Sequence, residues 1–172
     1  MKHTVRTLLA TSCAVLLVAV LPSAAPAATS PQAYQNQVKS QANAVRGFHD
    51  RQPLVHSACM DKWADSWAAH LAKIKQLKHR ATSGGNGVTL TAIMRECKLK
   101  GIGENLASGG FPHGYAVVGV GRDTVQAKPA NWMQSSGHRA NLLGASYNRT
   151  GIGAARASNG DIYVVQLYGA LR

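Results

Sequence analysis

The sequence predicts an α+β fold, and three observations carry that reading. Two stretches in the first half repeat apolar residues every three to four positions, the helical period. The last part of the chain switches to β-rich runs joined by an Asn-Gly turn. Helices first and antiparallel strands later are the pattern of helices packed on a sheet.

Taken in order, Ser30-Pro31 opens the first helix, with Ser30 as cap and Pro31 in the first turn. Tyr34, Val38, Ala42 and Val45 form its apolar stripe, and Gly47 ends it. Asn43 and Arg46 share one face of this helix. They are read either as a solvated polar edge or as a clamp on nearby backbone, since arginine offers five donors in a fixed fork. Pro53-Leu54-Val55 is a short extended link. Ser57 caps a second helix, expected to run to Lys78. Its stripe is Met60, Trp63, Ala64, Trp67, Ala68, Leu71, Ile74 and Leu77, with both tryptophans read as core. His79 follows, placed either to meet the helix dipole or to serve a site. Thr82–Gly87 is a loop by composition. Val88–Cys97 is a third helix with Leu90, Ile93 and Met94 inward.

Gly101–Gly110 sets glycines around Glu104-Asn105, which permits tight backbone approach. Glu104 lies between Ile102 and Leu106, so partial burial is expected. A buried carboxylate then needs a partner, a histidine or a metal ion. In the poorly patterned stretch Phe111–Lys128, Val117–Gly121 reads equally as strand or helical turn. Pro129 opens a short helix carrying Trp132. Gly151–Ala157 and Ile162–Tyr168 form a closing hairpin across Ser158–Asp161, with Asn159-Gly160 as the two-residue turn signal.

The chain has 172 residues, of which the first 27 read as a secretory signal. Lys2, His3 and Arg6 form its basic head, Leu8–Leu21 an uncharged apolar run, and Ala25-Pro26-Ala27 an Ala-x-Ala cleavage site. The run falls short of the roughly 20 residues that span a bilayer; an uncleaved anchor is the alternative. Residues 28–172 then form one domain, large enough for a real core. Of three cysteines, Cys13 leaves with the leader. Cys59 and Cys97 remain as an even pair in an oxidising compartment, where a disulfide is the default and a zinc site the weaker reading. Of 19 Lys and Arg, Lys2 and Arg6 also leave, so 17 face seven acids at a net charge of +10. Such a surface attracts anionic envelopes without being a nucleic-acid motif, because the bases are scattered.

The most specific wording is Trp132-Met133-Gln134-Ser135-Ser136-Gly137-His138-Arg139-Ala140-Asn141-Leu142-Leu143, answered upstream by Gly103-Glu104-Asn105-Leu106-Ala107. Apolar residues frame a small polar cluster in both. With Asn43-x-x-Arg46, the Cys59–Leu71 helix, His79, Gly151-Ile152-Gly153 and Val165-Gln166-Leu167-Tyr168-Gly169, the ordered set resembles the CAP superfamily of cysteine-rich secretory proteins, venom antigens and pathogenesis-related proteins. The bacterial secreted branch is the nearest match. The resemblance implies an α/β/α three-layer sandwich, with a small, mainly antiparallel sheet between helices. It also implies a cleft of two histidines and two acids, often around a divalent ion. His79, Glu104 and His138 fall on three of those positions, while Ser135 stands where the second acid would be. The implied ligand-binding residues are His79, Glu104, Asn105, Ser135 and His138.

Three functions fit. The first is a secreted binding module whose cleft takes an extracellular lipid, glycan or peptide. The second is a metal-dependent, peptidase-like hydrolase, with His79, Glu104 and His138 holding zinc or another divalent ion as the only candidate cofactor. The third is a structural or interaction domain. A metal-free version of the hydrolase would use Ser135 or Ser136 beside His138, but no Gly-x-Ser-x-Gly elbow is present. Phosphate-loop, Rossmann and His-Glu-x-x-His patterns are absent, which removes support for those chemistries.

Overall fold

The computed structural model describes residues 30–84, 87–119 and 131–171. The expected leader, Gly85-Asn86 of the first loop, Val120-Gly121 and the Pro129 helix start lie outside the described residues.

Among the described residues, five helices and four strands follow one another as α1 (Pro31–Phe48), β1 (Val55–His56), α2 (Ala58–Ile74), α3 (Leu90–Glu96), β2 (Leu99–Gly109), α4 (Gly114–Val118), α5 (Ser136–Leu142), β3 (Arg149–Arg156) and β4 (Ile162–Leu171). A 3-10 turn, Trp132–Gln134, precedes α5. The sheet order is β1-β3-β4-β2; only β1–β3 is parallel.

The central strand explains the layers. Ile162, Val164 and Tyr168 of β4 enter a core with α1, α4 and Trp132. Tyr163, Val165 and Leu167 alternate into a second core with α2 and α3. A strand apolar on both faces must be covered on both. The result is the expected three-layer α+β sandwich. Short polar side chains start the helices as read from the sequence: Ser30 accepts from Ala33 N and Ser57 from Met60 N.

Helix α2 lies directly on the backbone of β3. A Cβ built at Gly151 would sit 2.4 Å from the Met60 carbonyl carbon, and one at Gly153 would sit 2.2 Å from Ala64 O. This approach carries Asp61 and Asp65, one helical turn apart, over the edge of β3 where two-residue β1 has ended. Asp61 Oδ1 accepts from Ile152 N at 2.8 Å, and Asp65 accepts from Ala154 N. Both carboxylates thus occupy edge amides that would otherwise invite another strand. Gln35 of α1 donates to Asp65 Oδ1 at 2.7 Å, which ties the two layers together. Burial, then the neighbouring Asp61, raises the Asp65 pKa above the ordinary carboxylate value.

Several expectations need correction. Helix α2 stops at Ile74, short of Lys78, because Lys75 turns left-handed (φ 54°). That conformation costs a non-glycine residue about 1–2 kcal/mol. Ile74 and Leu77 therefore leave the stripe for solvent. Trp63 and Trp67 are only half-buried, at the rim of the second core. Lys62 lies over one ring and Arg80 over the other. The third helix is shorter than expected, with Ile93 buried but Leu90 and Met94 half-buried. The glycine-rich Glu104 segment is a full strand, paired along β4. Of the two readings left open for Val117–Gly121, the helical one holds at Val117-Val118. The closing turn is one residue longer than the expected Ser158–Asp161: Arg156 pairs with Ile162, leaving Ala157–Asp161 between them.

The Cys59–Cys97 disulfide is present and joins the start of α2 to the residues entering β2. Closing a loop of this length stabilises a chain by about 4 kcal/mol. Reduction should lower the unfolding free energy from denaturant titration by up to that amount while leaving a folded protein, because both cores persist. Unfolding on mild reduction at room temperature would contradict this. Gly153→Ala is expected to cost about 3 kcal/mol, since Ala64 O is backbone and cannot give way. Thermal unfolding should fall by roughly 6–12 °C.

Candidate functional site

The candidate site is built on β2, the edge strand next to β4. Glu104 pairs with Leu167 and faces the α2–α3 layer, while Asn105 pairs with Gln166 and faces the opposite one. The period of two in a strand sets these neighbouring side chains to work on different sides.

On the first side, the chain leaving α2 returns against β2. Glu104 Oε1 accepts from His79 Nδ1 at 2.9 Å and from Arg80 N at 3.0 Å. The Glu104 side chain is 1% exposed and that of His79 60%. Because Nδ1 is engaged with the carboxylate, a neutral His79 turns its Nε2 lone pair outward. Glu104 Oε2 is buried and receives no donor from the described residues. Arg80 fixes the return. Its guanidinium donates to Trp63 O and Val88 O and lies 4.5 Å from the Trp67 ring centre.

On the other side, Asn105 is fully buried and belongs to a continuous polar chain. Its Nδ2 donates to His138 O at 2.9 Å and to the Tyr168 hydroxyl at 3.0 Å, and its Oδ1 accepts from Asn141 Nδ2. Tyr168 donates onward to Gln166, whose amide reaches Thr150 Oγ1. Asn141 also donates to Glu104 O. The loop after α5 is held by Arg46, as the clamp reading expected. This fully buried guanidinium donates to Gln52 O, Leu142 O, Gly144 O and Tyr147 O. Asn43 brackets Leu54 in the same way.

His138 is half-buried on α5, with its ring centre 6.5 Å from that of Trp132. Trp132 is itself pinned by Nε1 donating to Leu106 O. Burial first, and the nearby His79 second, lower the His138 pKa below the ordinary histidine value. Ser135 is the cap of α5: its Oγ accepts from His138 N at 3.4 Å.

Of the residues singled out from sequence, His79 and Glu104 meet directly, and His138 approaches His79 closely enough to be felt electrostatically. Asn105 and Ser135 face inward as supports of β2 and α5. Among the described residues, no three His, Cys, Asp or Glu side chains are grouped so as to hold a metal ion. Arg80 and Asn141 were not assigned roles from sequence. Arg80 was hidden in a basic run that reads as solvated surface, and Asn141 in a motif dominated by its histidine.

The sequence profile of the CAP family, described as the "Cysteine-rich secretory protein family", matches residues 40–168. The chain belongs to this family. Its fold is similar to an extracellular protein containing an SCP domain from Bacillus anthracis, at TM-score 0.61 and 20% identity over 81% of this chain and 41% of that one. An outer surface protein from Borrelia burgdorferi aligns at TM-score 0.60 and 16% identity, covering 80% and 92%. A cysteine-rich secretory protein from Staphylococcus aureus aligns at TM-score 0.58 and 15% identity, covering 81% and 39%. The CAP chain thus spans less than half of the Bacillus and Staphylococcus proteins and nearly all of the Borrelia one. No curated protein matches it by sequence.

The lowered His138 pKa has a sign. The unfolded chain binds that proton more readily than the CAP fold, so stability falls as pH drops from about 6.5 toward the folded midpoint. NMR titration should place the His138 midpoint below 6.5, and His79→Ala should move it part of the way back. A midpoint at or above the ordinary value would remove the half-buried imidazole from this description.

Proposed function

We propose that this CAP protein is exported by a leader ending near residue 27 and acts outside the cell as a single-domain binding module of the bacterial secreted branch. Its cleft lies where His79, Glu104 and His138 approach one another at the β2 edge. One observation carries the reading: Glu104 is buried with Oε2 lacking a donor from the described residues, beside an exposed imidazole and a half-buried one. A carboxylate oxygen without a donor is costly to bury, so a ligand group able to donate to it binds favourably. The expected ligand is an extracellular lipid, glycan or peptide carrying such a donor. The basic surface of the mature chain favours encounter with an anionic envelope.

A divalent ion is the second reading, and the unpaired Oε2 is what favours it. Zinc held there by His79 and His138 would supply a water of lowered pKa for hydrolysis.

The two readings are separated by calorimetry and thermal shift on the processed, chelator-stripped chain. The binding module predicts a negligible zinc heat, a rise in melting temperature with at least one lipid, glycan or peptide, and loss of that rise in His138→Ala with the fold retained. One-to-one zinc binding lost in both His79→Ala and His138→Ala, with turnover abolished by chelation, would establish the hydrolase instead. Collapse of the His138→Ala fold, with no ligand response in the parent, would reduce the cluster to a structural role.

A further inference from the structure

The segment that delivers His79 to the site has a second property. Every residue from Lys73 to His79 is exposed, including two large aliphatic ones, Ile74 at 38% and Leu77 at 49%. This exposure does not come from an untethered loop. Trp67 Nε1 donates to Lys78 O at 3.2 Å, and His79 and Arg80 are both bonded to Glu104. The backbone is pinned from behind, so Ile74 and Leu77 are held outward. The reversal at Lys75 uses a left-handed conformation that favours glycine, yet a lysine occupies it.

The formal charges within the segment itself are of one sign. Lys73, Lys75 and Lys78 surround Ile74 and Leu77, and no Asp or Glu occurs between Asp65 and Glu96. A partner that buries this face must be apolar in depth and anionic at its surface. A soluble anionic polymer offers only the charge. An anionic lipid bilayer offers both, with phosphates at the level of the lysines and acyl chains below.

We propose that Lys73–His79 is a membrane-docking lip, with Ile74 and Leu77 entering the headgroup–acyl boundary and the three lysines resting on lipid phosphates. This surface borders the cleft at His79, but its docking through Ile74, Leu77 and the lysines does not depend on what the cleft binds. Docking would place the exposed His79 edge at the lipid surface.

The test is flotation of the processed chain, its amino terminus verified by mass spectrometry, with phosphatidylcholine vesicles containing about one-third phosphatidylglycerol or none. Binding is expected only to the anionic vesicles and should weaken with salt. Ile74→Ser with Leu77→Ser should reduce it about tenfold or more with only a small fall in melting temperature, because neither side chain belongs to a core cluster. Lys75→Gln and Lys78→Gln should each cost up to about fivefold. Val55→Ser, at an equally exposed aliphatic on β1, should bind as the parent does. The assignment is overturned by parental binding in the Ile74/Leu77 variant, by equal binding to neutral vesicles, or by an equal loss in Val55→Ser. Retention on soluble polyphosphate with no binding to anionic vesicles would also overturn it, since charge alone would then explain the surface.

Discussion

The closeness of α2 to β3 is the constraint from which most of the molecule follows. With no side chain at Gly151 or Gly153, the helix rests on peptide backbone. Its direction and height above the sheet are then set to within the tolerance of a van der Waals contact. Everything α2 carries inherits that placement. At one flank, Asp61 and Asp65 reach the free amides of β3. At its start, Cys59 meets Cys97 and ties the helix to the entry of β2. Beyond its end, the chain turns at Lys75 and comes back over the far edge of the sheet, where His79 and Arg80 find Glu104. A helix lifted off β3 by one methyl group would disturb both edges together.

The sheet edge also explains why the polar groups of the site are so differently buried. Glu104 and Asn105 are neighbours in sequence, yet the pleat sends one to each helical layer. Asn105 enters a closed set of bonds, in which each amide and hydroxyl engages another group of the chain through Tyr168, Gln166 and Thr150. Such a network is stable because little is left unpaired. Glu104 is the opposite case. One oxygen holds the returning chain, while the other is buried without a donor from the described residues. The Asn105 side orders α5 and so positions His138; the Glu104 side retains unspent binding capacity. This edge is therefore asymmetric, with a closed polar network on one side and, on the other, a buried carboxylate oxygen that receives no donor from the described residues.

Much of this was legible in the sequence, for identifiable reasons. Amphipathic periodicity located α1 and the body of α2, because their buried faces alternate with wet ones. Asn43 and Arg46 could be read as a clamp because an arginine on a partly apolar face needs many acceptors, and loop carbonyls supply them. Glu104 could be read as buried and partnered because a lone carboxylate between Ile102 and Leu106 has few alternatives. The failures are equally physical. The end of α2 was misplaced because Ile74 and Leu77 continue the apolar period, and nothing local shows that Lys75 turns left-handed. The strand character of Leu99–Gly109 was obscured by its glycines, which disfavour a strand locally but are tolerated under long-range pairing with β4. Arg80 could not be separated from its lysine neighbours, since only the tertiary position of Trp67 and Val88 distinguishes a buried guanidinium from solvated charges.

The misread end of α2 is the informative failure. A sequence whose local and tertiary preferences agree would have buried Ile74 and Leu77 or replaced them with polar residues. Here the aliphatic pair continues the helix pattern while the chain departs from the helix, at a residue whose conformation carries a cost. Local rules tend to be broken where another requirement prevails. Two such requirements converge on these few residues. The chain must reach back far enough for His79 and Arg80 to meet Glu104, and the aliphatic pair must remain outside among the lysines. A continued α2 would run on at Lys75 instead of turning there toward Glu104. The left-handed turn at Lys75 satisfies both at once, so the geometry of the cleft and the chemistry of the surface beside it are consequences of one backbone choice.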